Sequence, residues 1–135
     1  MTLGGGVGLK EAQGLDDYAD AETCARYRES DEKEDWRRIP ASALNDCNSS
    51  LSFFDAEGMR FHLPAYLVAE LRGSYYQGVV FCLTEMGDYR SAQLAMLSST
   101  QRSAIRALLL HLADHADYAY ERPAILRALD SYWTD

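Results

Sequence analysis

His111 and His115 stand four residues apart near the end of STQRSAIRALLLHLADH. On a helix that spacing puts two imidazoles on one face, the arrangement by which a metal ion is held. The residues between them are Leu112, Ala113 and Asp114, so the glutamate of an HExxH motif is missing. No third ligand is near in sequence, and His62 would have to come from another segment. The pair therefore defines an alternative, a metal-dependent protein, while the main expectation is that no metal or cofactor is used. Asp55 and Glu57 could share acid–base work, but they fall in a segment that reads as a solvated turn. Cys24 and Cys47 lie in no Cys/His motif. No GxSxG occurs, and GGGVG near the start lacks the Lys-Ser/Thr of a phosphate loop. None of these sets builds a reaction, so a non-enzymatic role is expected.

Charge and aromatic residues point to binding instead. The formal net charge is −8. Between Glu11 and Asp35 ten acids face three bases, a net of −7, so nearly all the imbalance lies in the first quarter. A phosphate backbone requires Lys and Arg, and this distribution argues against nucleic acid. It suits a basic protein partner steered by the acidic field. Nine tyrosines are present, and Tyr18, Tyr27, Tyr75, Tyr76, Tyr89, Tyr118 and Tyr120 occupy polar contexts. Tyrosine buries a large area at an interface and keeps a polar end. The expected partner-binding set is Asp16, Asp17, Tyr18, Asp20, Glu22, Tyr27, Asp31, Glu32, Glu34 and Asp35. The most concrete function that follows is an immunity-type protein that neutralises a basic bacterial toxin or nuclease. Self-association through the aromatic surface is a further alternative, with a homo-oligomer as its product.

These residues must be positioned by elements. A chain of 135 residues predicts one domain, over 9–135, preceded by a flexible Gly-rich end at 1–8. No run of 18 apolar residues exists, so no membrane span is expected. The start lacks a basic residue followed by an apolar core, and the three cysteines, Cys24, Cys47 and Cys82, form no CxxC. A reducing, cytoplasmic setting with free thiols is the expectation. Helices are predicted over 9–19, 21–28, 41–47, 64–72, 99–115 and 123–133, with Asp20 capping the second. Pro64 is expected in the first turn of its helix, and Gly73 just past its end. Leu51–Phe54 and Met59–His62, joined by Asp55-Ala56-Glu57-Gly58, predict a small β-hairpin. Val79–Leu83 predicts a short strand. The fold class is mainly α, an α+β chain with a small central β element.

With these landmarks placed, the chain resembles a family of small bacterial proteins of unknown function. The likeness lies in LKEAQGLDDYADAETCARYRESDEKEDW, in Trp36 with Ile39-Pro40, in SFFDAEGMRFHLPAYL, and in the C-terminal LSSTQRSAIRALLLHL and ILRALDSYW. The third block is the most specific. The resemblance implies a single mainly helical, cytoplasmic bacterial domain and carries no catalytic residues with it.

Overall fold

A computed structural model describes residues 1–134. Among them are eight α-helices: α1 Leu9–Asp16, α2 Ala21–Ser30, α3 Ala41–Asp46, α4 Ala56–Leu71, α5 Val80–Thr84, α6 Asp88–Gln93, α7 Ser99–Ala113 and α8 Arg122–Ser131. Three 3-10 turns, Trp36–Arg38, Ser50–Ser52 and Ala116–Tyr118, complete the set. Length alone predicts one domain; the contacts group into two compact units, Met1–Val79 with Ala92–Met96, and Val80–Ser91 with Leu97 onward.

No strand occurs among the described residues, so the expected central hairpin and the strand at Val79–Leu83 are both corrected: Leu51 and Ser52 lie in a 3-10 turn, Met59–His62 in α4 and Val80–Leu83 in α5. Asp55 opens α4 rather than a turn: its Oδ1 accepts the Gly58 N–H at 2.8 Å, the geometry of an N-cap. The helix thus starts eight residues before Pro64, which lies in its interior rather than its first turn. Met59, Phe61, His62, Leu63, Ala65, Tyr66 and Ala69 are all buried. A helix enclosed on most sides has apolar residues at both odd and helical spacing, so Met59, Phe61 and Leu63 imitate the alternation of a strand. Gly73 does end α4. It has φ +69, its N–H bonds Glu70 O at 3.1 Å, and the Ser74 N–H bonds Ala69 O at 2.8 Å, the paired bonds of a Schellman motif.

In the first unit α1 and α2 form an antiparallel pair, and the expected flexible end is engaged beside them. Leu3 is fully buried. The Gly5 and Val7 N–H groups bond Glu57 Oε2 and Asp55 Oδ1, and Arg28 donates to the carbonyls of Gly4 and Gly6. A Cβ built on Gly58 would lie 2.7 Å from Val7 O, so this crossing of two backbones needs glycine. The core gathers Leu44, Phe54, Met59, Phe61, Leu63 and Tyr66. Buried Gln93 donates to the carbonyls of Leu51 and Phe54, at 3.3 and 2.8 Å.

In the second unit α7 packs on α8 and α8 on α5. Ser98 caps α7 in a reciprocal box with Gln101. Ile105, Leu109 and Leu112 are buried with Ile125, Leu129 and Trp133, while Leu126 is exposed. The Trp133 indole N–H donates to Leu83 O at 2.8 Å. Arg102 covers the Tyr132 and Trp133 rings, and Arg106 donates to the carbonyls of Leu129 and Trp133.

Candidate functional site

The acidic quarter lies wholly in the first unit, and the structure divides the ten expected residues by what their side chains already do. Asp20 is the N-cap of α2 and accepts the Thr23 N–H at 2.7 Å; hydrogen bonding from Thr23, its side chain first and its N–H second, lowers the carboxyl's pKa. Asp31 accepts the N–H groups of Lys10 and Glu11, at 2.9 and 3.1 Å, and so caps α1 from twenty residues away. Burial pushes its carboxyl up against those bonds. Glu32 accepts from the Glu34 and Asp35 N–H groups, which lower its pKa. Asp35 caps the turn Trp36–Arg38 and is ion-paired with Arg37, which lowers its pKa too. Tyr27 packs on the face of Gly14, where a Cβ would meet its ring at 3.1 Å, with the Lys10 ammonium 4.6 Å above it.

The other five cap no backbone group among the described residues, although Asp17 Oδ1 accepts the Gln13 side-chain amide at 3.3 Å. Asp17 and Glu22 are exposed and Asp16 half-buried; Glu22 meets Arg26 at 3.4 Å, an open i,i+4 pair. With Tyr18 they surround the α1–α2 turn. Glu34 is exposed beyond the far end of α2, whose ten residues span about 15 Å. The expected surface is therefore a compact acidic tip at 16–22, with a separate acid at Glu34, rather than one face.

Tyr18 is the unusual member of that tip. Its φ is +58, the left-handed region, and no other non-glycine residue among those described enters it. Its N–H bonds Leu15 O at 3.3 Å and the Ala19 N–H bonds Gly14 O at 2.9 Å, so Tyr18 occupies in α1 the place that Gly73 occupies in α4. The side chain is 94% exposed. The local signal was available in LDDYADAE: a helix end and a helix start with no glycine between them.

The remaining candidates separate. His62 is fully buried, stacked on Phe54 with centroids 4.3 Å apart. Its Nδ1 lies 2.7 Å from Gly58 O, so this nitrogen carries the proton, and Nε2 has no partner. Burial lowers its pKa to about 4. His111 and His115 are exposed, their ring centroids 6.2 Å apart, and His115 Nδ1 accepts the Asp117 N–H. Among the described residues no group of three or more His, Cys, Asp or Glu could hold a metal. Asp55 and Glu57, weighed above as a catalytic pair, are engaged with the N-terminal segment. All three cysteines are free; Cys24 and Cys82 are buried, and burial pushes the Cys82 thiol up to about 11. Tyr75 is buried edge-on to Tyr66, whereas Tyr76, Tyr89 and Tyr120 are exposed. No helix is long and apolar enough to cross a membrane among the described residues.

Fold and site together define an all-helical protein with an acidic, tyrosine-bearing turn. Over residues 1–135 the sequence matches a family of unknown function, DUF6714, and the chain belongs to that family. No curated protein and no solved structure matches it.

Proposed function

We propose that this chain is a non-enzymatic protein-binding module whose acidic α1–α2 tip docks on a basic protein, most concretely as the cytoplasmic immunity-type partner of a bacterial toxin or nuclease. One observation carries the reading. Tyr18 sits where glycine is favoured, at a conformational cost of about 1 kcal/mol, and its ring is almost entirely in solvent. Inside the chain it returns little for that cost. An aromatic ring raised among Asp16, Asp17 and Glu22 is the form of an anchor for an outside partner, with apolar area at the centre and charge at the rim. The surrounding acids would steer a basic protein to it.

The test is capture by the tagged chain from lysate of its native host, at low and moderate salt, read by mass spectrometry. A single stoichiometric basic partner, weakened at the higher salt, is expected. The same capture with Asp16, Asp17 and Glu22 changed to Lys should lose it. Asp20, Asp31, Glu32 and Asp35 are left intact, because they cap backbone and their reversal would disturb the fold. Equal capture by the reversed tip would remove the proposal.

A further inference from the structure

We propose that a cleft in the first unit, between the turn Trp36–Arg38, α3 and α4, binds a small amphipathic anion, in its simplest form a carboxylate with an apolar tail. The cleft has a volume of about 360 Å³, within the range of roughly 300–1,000 Å³ in which small-molecule sites fall. Ile39, Leu44, Val68, Ala65 and Ala69 give it an apolar lining. The two alanines lie one turn apart on α4, and their small side chains are what leave the space open. Trp36, half-buried, stands at its edge. This assigns a role to the Trp-x-x-Ile-Pro landmark that the acidic tip leaves unexplained: Pro40 holds Ile39 extended, and Ile39 forms one wall.

Charge sets the class of ligand. No carboxylate lines the cleft, and two guanidinium groups do. Arg37 is committed to Asp35, with Nε to Oδ1 at 3.0 Å and Nη2 to Oδ2 at 3.3 Å. Arg72, exposed at the C-cap of α4, belongs to no ion pair among the described residues. The site therefore offers apolar walls and one uncompensated positive charge, which favours an anion with an apolar body over a cation or a strongly polar solute. The walls are also tied together. Asn45 of α3 donates to Ser74 O at 2.9 Å and accepts the Tyr76 N–H at 3.0 Å, fixing α3 to the segment that follows α4. A preformed cleft loses less ordering entropy on binding.

The probes are octanoate and its neutral analogue 1-octanol, titrated into the ¹⁵N-labelled full chain. Octanoate should shift the Trp36 indole N–H, identified by its loss in Trp36→Phe, together with amides of residues 65–72, and should saturate with a Kd below about 1 mM. The Trp133 indole should not move. Arg72→Gln should weaken octanoate at least tenfold and leave octanol unchanged, since it removes the charge alone. Val68→Phe should block both by filling the space; if that variant loses its amide dispersion, Arg72→Gln decides. No saturable shift at the lining residues, or equal octanoate affinity in Arg72→Gln, would overturn the proposal.

Discussion

Tyr18 and Gly73 occupy the same place in two instances of one helix-ending motif, with φ +58 and +69. Glycine enters that region without steric cost and tyrosine does not. Tyr18→Gly should therefore raise the unfolding free energy by about 1 kcal/mol, measured by urea denaturation. A loss of stability would show that the ring packs inside the chain after all. A second pair is Gly8 and Asp31. A Cβ on Gly8 would lie 2.3 Å from Asp31 Oδ2, so only glycine lets that carboxylate reach the start of α1. Gly8→Ala should cost about 1–3 kcal/mol by overpacking, and Asp31→Ala about 1 kcal/mol by uncapping α1. The double variant should fall short of the sum, because both changes break one contact; strict additivity would separate the two residues. The charge of the acidic quarter was legible in the sequence. Asp20 as the cap of α2 was legible too, but Asp31 as the cap of α1 was not, because the N–H groups it serves lie 20 and 21 residues away.

α4 shows how an element can be misread while its boundaries are marked. Asp55 and Gly73 are visible as punctuation at both ends, yet Asp55 with Gly58 serves a hairpin turn as well as a helix cap in local terms. What separates the two is burial on most sides of α4, a tertiary fact with no local signature. The helices with one-sided patterns, α7 and α8, were legible to within about two residues. Asp55 also binds the Val7 N–H at 3.0 Å, so it joins the N-terminal segment to the start of α4. Asp55→Ala should lower stability by about 1–2 kcal/mol. Hydrogen exchange should quicken together at Val7 and at Gly58; faster exchange at Gly58 alone would contradict the shared role.

For the molecule as a whole, buried His62 sets a pH dependence of folding. Its ring stays neutral in the folded chain down to about pH 4, while an unfolded histidine takes up a proton below about 6.5. In that window the unfolded state binds more protons. Stability should hold above pH 6.5 and decline as pH falls toward 4, by up to about 3 kcal/mol. His62→Phe should flatten this slope whatever its own stability; an unchanged slope would assign the effect to other groups. The lowered carboxylates Asp20, Glu32 and Asp35 act in the same direction at more acidic pH, as they protonate. The role proposed for the acidic tip is tested most directly by parallel capture from host lysate with the wild-type chain and Tyr18→Gly. A basic partner retained by the wild type and lost from a variant that is folded and more stable is the predicted result. Equal retention by both chains, or no partner on either, would contradict it.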